Sequence, residues 1–104
     1  MNRIDKLKEF LKATPNDSFL QHALALEFIK EDNDAEAKIL FETILEREAN
    51  YIGSYYHLGK LLERNNNFAE AINIYSKGMV EAKAVKDNHS YNELQAALED
   101  LQED

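Results

Sequence analysis

The sequence repeats itself with a period of 34 residues, and that period limits the fold more than any other feature of the chain. Shifted by this amount, Leu24 falls on Leu58, Asn33 on Asn67, and Ala35-Glu36-Ala37 on Ala69-Glu70-Ala71. Related residues fill the gaps: Ala25 meets Gly59, Phe28 meets Leu62, Lys30 meets Arg64 and Phe41 meets Tyr75. The two windows are 18–51 and 52–85. A unit of this length has room for two helices of ordinary size and short connections, but not for three helices.

The spacings within each window describe those two helices. Tyr55, Leu58 and Leu62 are three and four apart and make one stripe of a helix. Gln21, Leu24 and Phe28 take the same places one period earlier, with Gln21 the poorest member of the stripe. Ala25 and Gly59 are small, which lets a second helix come close, and Ala37 and Ala71 are the small residues of that second helix. Four residues after each comes a large aromatic, Phe41 or Tyr75. Small against small with an aromatic filling the next layer predicts a tight antiparallel helix pair. Asn33 and Asn67 are placed to cap the second helices, with Glu36 and Glu70 three residues on as capping-box acids. Asn16 and Asn50 stand just before the first helices.

These residues resemble the tetratricopeptide repeat family, whose unit runs aromatic, Leu-Gly, large residue, Ala-x-x-x-Phe, Pro. Tyr55, Leu58-Gly59, Leu62, Ala71 and Tyr75 match best, and Leu24-Ala25, Phe28, Ala37 and Phe41 match one repeat earlier. Ala49 and Lys83 stand where the closing proline belongs, while Pro15 occupies that place at the end of an N-terminal half-repeat. The resemblance implies an all-α solenoid of helix-turn-helix repeats with flanking half-repeat helices. It covers one domain, 1–104: an N-terminal helix in 1–17, repeat 1 in 18–51, repeat 2 in 52–88 and a C-terminal capping helix in 89–104. The N-terminal helix is expected to turn Ile4, Leu7, Phe10 and Leu11 inward. Tyr91, Leu94 and Leu98 repeat the spacing of Tyr55, Leu58 and Leu62 at a distance of 36, so the second helix of repeat 2 is expected to run on to about Lys86. Ser90 and Glu93 are the expected capping box of the last helix.

Composition removes several functions. With no cysteine there is no disulfide, no thiolate metal site and no cysteine nucleophile. The three glycines, at 53, 59 and 78, form no phosphate-binding loop. Twelve bases against 20 acids give a formal net charge of −8, which repels nucleic acid and anionic membrane surfaces. No secretory leader or membrane-length apolar run is present, so a cytoplasmic protein is expected. Glu31 to Asp34 has the acids of a calcium loop without its spacing, and reads as a turn and cap. His22, His57 and His89 are the candidate metal ligands, but no pair has i, i+4 spacing, and solvent-facing or groove-lining histidines are the plainer reading. No catalytic site and no cofactor are expected.

What remains is binding. In the family the first helix of each pair lines the concave face, because its Leu and small positions are spent on the stack. That places Phe19, His22, Leu26, Ile29 and Lys30 in the groove from repeat 1, Tyr56, His57, Lys60, Glu63 and Arg64 from repeat 2, and His89, Asn92 and Glu93 from the last helix. The expected groove has a basic strip of Lys30, Lys60 and Arg64 beside the more apolar Phe19, Leu26, Ile29 and Tyr56. It suits a protein or peptide with acidic side chains or a C-terminal carboxylate. The bland alternative packs Leu26 and Ile29 under a neighbouring helix and leaves Lys30 and Arg64 as ordinary helix-end cations. Some relatives hold chaperone tails in a clamp of Lys, Asn and Arg. Here His22, Leu26, His57, His89 and Glu93 stand at about those places, so that function is not expected. Two further readings stay open. The basic N-terminal segment and the acidic C-terminal segment would let copies of the chain assemble end to end, and the histidines would bind zinc.

Overall fold

The computed structural model describes residues 2–103. They form six helices: α1 Arg3–Ala13, α2 Ser18–Lys30, α3 Asp34–Arg47, α4 Gly53–Arg64, α5 Phe68–Ala84 and α6 Asn88–Gln102. No strand occurs among the described residues. The fold is the all-α, tetratricopeptide-like array of helix hairpins. The helices fall into two compact units, one ending at Glu48 and the other beginning at Ala49.

In the first unit α2 packs between α1 and α3. Its core is Leu7, Leu24, Ala25, Ala37, Phe41 and Ile44, all buried. Gln21 belongs to this core too. It and Ser18 are each only 7% exposed. The Gln21 amide donates to the Pro15 carbonyl at 3.1 Å, and Arg47 Nη2 donates to both Gln21 Oε1 and Ser18 Oγ at 2.7 Å. The Ser18 hydroxyl in turn donates to Glu48 at 2.7 Å. The end of α3 is thus tied to the start of α2 by a satisfied polar network, which is how a glutamine is stable in an apolar stripe. Phe10 departs from expectation: it is 58% exposed instead of inward. Of the four apolar residues expected to face in from α1, only Leu7 is fully buried.

In the second unit α5 packs against both α4 and α6. Tyr55, Leu58, Leu61 and Leu62 of α4 are buried with Ala71, Tyr75 and Ala82 of α5 and with Leu94 and Ala97 of α6. Two glycines set the spacing. A Cβ on Gly59 would lie 2.1 Å from the Tyr75 ring, and one on Gly78 would lie 2.7 Å from Tyr55 Cβ and 2.9 Å from Leu94. Neither place has room for a methyl group. The Tyr55 hydroxyl donates to the Ala49 carbonyl at 2.6 Å, which fixes the segment entering α4.

The turns between paired helices share one device. Asp32, Asn66 and Lys86 have left-handed φ of 58°, 63° and 62°. After each, the next amide reaches back to the helix: Asn33 N to Phe28 O at 2.8 Å, Asn67 N to Leu62 O at 2.8 Å and Asp87 N to Ala82 O at 2.9 Å. These are Schellman closures, which satisfy the last carbonyls of the helix. α5 ends at Ala84, and Lys86 supplies its left-handed turn.

The N-terminal caps follow the sequence only in part. Asn33 accepts from Glu36 N at 3.4 Å, as expected, whereas Asn67 makes no side-chain cap bond. Asp17 caps α2 in place of Asn16, accepting from Leu20 N at 3.0 Å. α4 begins after Ile52 with no side-chain cap. Asp87 caps α6 by accepting from Ser90 N at 3.1 Å, so Ser90 is the donor in that cap and not the capping residue. At α2 and α6 the capping residue is an acid, whose carboxylate is a strong acceptor for an orphan amide.

Candidate interaction site

The residues outside the core stripe of α4 form a connected patch. Tyr55, Leu58, Gly59 and Leu62 point into the unit, which leaves Tyr56, His57, Lys60 and Glu63 on the adjoining face, each half-buried. The Tyr56 and His57 rings meet edge-on with centroids 5.7 Å apart. Lys60 Nζ lies over the Tyr56 ring, 5.6 Å from its centre, and 3.5 Å from Glu63 Oε2. Glu63 also accepts a short hydrogen bond from the Tyr75 hydroxyl. One carboxylate therefore orders a lysine on the surface and a tyrosine of the core.

The electrostatics follow from burial. The Tyr75 phenol is held well above the ordinary tyrosine range, first by burial and then by its bond to Glu63 and the charge of that carboxylate. Burial lowers the His57 imidazole below its ordinary value, and the negative charge of Glu93 on α6 opposes that shift in part. His89 stands exposed, with Nε2 3.9 Å from Glu93 Oε2. His57 and His89 thus both face Glu93. Among the described residues, no group of three or more His, Cys, Asp or Glu side chains could hold a metal ion.

In the first unit the expected groove residues are less coherent. Phe19 is 70% exposed at the start of α2. His22 packs edge-on against the buried Phe41 ring with centroids 5.5 Å apart. Leu26 and Ile29 are half-buried. Lys30 is exposed and pairs with Glu27 at 3.0 Å, and Glu27 also receives Arg3 of α1 at 3.6 Å. Lys8 lies over the Phe28 ring at 5.7 Å.

Acids therefore temper the basic strip expected from sequence. Lys30 and Lys60 each have a glutamate three residues away on the same helix, and Arg64 is exposed at the end of α4. Sequence reading assigned Tyr75 only to the core and missed its link to the surface. The signal was present: one period earlier the places of Tyr75 and Glu63 hold Phe41 and Ile29, so the hydroxyl and the carboxylate arrive together.

No family model matches the chain, and no curated protein matches it. Solved structures do. A crystal structure of a tetratricopeptide repeat domain protein from Salinibacter ruber is 40% identical, with a TM-score of 0.79 over 83% of this chain and 97% of its own. A solution structure of such a protein from the same organism is also 40% identical, with a TM-score of 0.81 over 84% of this chain and 88% of its own. The TPR2B domain of yeast Sti1, solved as a complex with pHsp70, shares the fold at 16% identity, with a TM-score of 0.87 over 95% of this chain and 79% of its own. With this similarity added to a two-fold internal repeat built of helix hairpins, the chain belongs to the tetratricopeptide repeat family.

Proposed function

We propose that the chain is a non-catalytic protein-binding module that holds a peptide or protein segment on the outward faces of its first helices. Those faces line the concave side in tetratricopeptide repeat arrays, and the α4 patch is the principal contact. One observation supports this above the rest. Tyr56, His57 and Lys60 are joined to one another beside the buried stripe of α4, and only partly covered. Ordered aromatic and cationic side chains of this kind lose little entropy when a ligand arrives, and residues of this type carry much of the energy at protein interfaces.

The partner that fits is a segment with an apolar side chain for the Tyr56 ring and a carboxylate for Lys60 and Arg64. Lys60 must leave Glu63 to take that carboxylate. Partly exposed pairs of this sort contribute about 0–1 kcal/mol, so the exchange costs little. Glu63 keeps its bond to Tyr75 and is not stranded. The complex of Sti1 with pHsp70 supports protein partners for the fold in general. It does not carry over to Hsp70 here, because His22, Leu26, His57, His89 and Glu93 stand at about the clamp places.

The test is capture of partners by the full chain from native lysate, with wild type compared against a variant carrying Tyr56→Ala, Lys60→Glu and Arg64→Glu, both checked for helicity. A protein retained by wild type and lost by the variant supports the reading. Equal retention by both removes the α4 face as the site.

A further inference from the structure

The first and last helices are complementary halves of one repeat. Counting back one period, α1 takes the place of α3, a second helix, and no described helix stands in the place of its first. Leu7 stands where Phe41 and Tyr75 stand, and Phe10 where Ile44 and Gly78 stand. Ile44 and Gly78 are buried, yet Phe10 is 58% exposed. Among the described helices, α6 takes the place of α4, a first helix, and none stands in the place of its second. Tyr55, Gly59 and Leu62 of α4 are buried, partly under α5, while their counterparts Tyr91, Gln95 and Leu98 are half-open. Each helix keeps an apolar stripe that no element of the described chain covers as it does in the complete repeats.

Charge says what fits there. α6 carries Glu93, Glu99 and Asp100 and no lysine or arginine. α1 carries four bases, Arg3, Lys6, Lys8 and Lys12, against Asp5 and Glu9, a surplus of two positive charges. Two α6 helices repel each other, whereas α1 and α6 attract. We propose that the α6 stripe of one copy receives α1 of a second copy, so that Phe10 settles against Tyr91, as Gly78 does against Tyr55, and a mixed repeat is completed between chains. The contact is heterologous, and each bound copy still has a free α1 or α6 to extend the chain of copies.

The same register limits its strength. The small pairs Ala25 with Ala37 and Gly59 with Ala71 bring helices close within each repeat. Their counterparts here are Gln95 and Arg3, which hold the two helices further apart. Arg47 on Gln21 shows that this pairing of side chains is compatible with a helix contact. The association is accordingly weak, with Kd on the order of 10 µM to 1 mM.

Sedimentation equilibrium of the full chain tests this, from about 5 µM to about 1 mM at low and at high salt, with Phe10→Asp and Leu98→Asp as variants. The wild-type mean mass is expected to rise at least about twofold over this range, less so at high salt. Each variant alone is expected to stay monomeric. An equimolar mixture is expected to form a one-to-one dimer that grows no further, because one variant keeps α6 and the other keeps α1. If Leu98→Asp loses helicity, Leu101→Asp at the half-open last turn replaces it. A wild type that is monomeric throughout overturns the proposal. So does a variant that still associates alone, or a mixture that does not pair.

Discussion

The two complete repeats reach the same helix pair with their volume distributed differently. In the first, position 21 is Gln and its opposite number is Ile44, and in the second these places hold Tyr55 and Gly78. Bulk has moved from the second helix to the first, and Gly78 is needed because Tyr55 Cβ lies where its own Cβ would go. The next layer shows a smaller shift, from Ala25 with Phe41 to Gly59 with Tyr75. Close-packed interiors conserve local volume more strictly than residue identity. Polarity moves in the same paired way. The first repeat has a guanidinium network around Gln21, and the second has a hydroxyl and a carboxylate, Tyr75 and Glu63, in the places of Phe41 and Ile29. That last exchange makes α4 the helix whose core and surface are linked, beside the binding patch proposed for the second unit.

The largest effect is expected from forcing one repeat's choice on the other. Gly78→Ile puts a branched side chain where no methyl fits, and should cost about 3 kcal/mol or more. Adding Tyr55→Gln recreates the pair found in the first repeat and should recover at least about 1 kcal/mol of that loss. A double-mutant cycle in urea measures the coupling, and strict additivity would break the comparison. Arg47→Ala tests the polar network of the first repeat. It leaves Gln21 Oε1 buried without its donor, and should cost about 1–3 kcal/mol by thermal or urea melting. A loss within error would mean that water replaces the guanidinium.

Smaller effects sharpen the turns and the patch. Lys86 holds a left-handed φ that glycine adopts freely. Lys86→Gly should therefore stabilise by about 0.5–1 kcal/mol, read as a raised urea midpoint. His57 has a folded pKa below the ordinary 6.5. The unfolded chain then binds the proton more readily, so stability falls as pH drops below about 6.5 and is fully present above it. Comparing melts of wild type and His57→Gln between pH 7.5 and 5 should show a shallower loss for the variant. An identical slope would mean that the imidazole is not desolvated in the fold.

Much of the fold was legible in the sequence because the period, the small pairs and the aromatic layers all depend on spacing alone. The caps were less so. Asn16 and Asp17 are neighbours, and which one caps turns on where the chain leaves the preceding turn. Phe10 looked buried because its helical spacing is right, but a stripe is buried only if a helix arrives to cover it. Gln21 looked like a weak point because its partners, Arg47 and Pro15, are distant in sequence or outside the helix. At the proposed binding face, counting bases found Lys30, Lys60 and Arg64, while Glu27 pairs with Lys30 and Glu63 with Lys60. A face must be read with both signs of charge together.

The central claim is that α4 carries the binding face, and amide and side-chain chemical-shift mapping with a captured partner's segment tests it most directly. The largest shifts are expected at Tyr56, His57 and Lys60. Shifts confined to α3 and α5, or absent from α4, would contradict it.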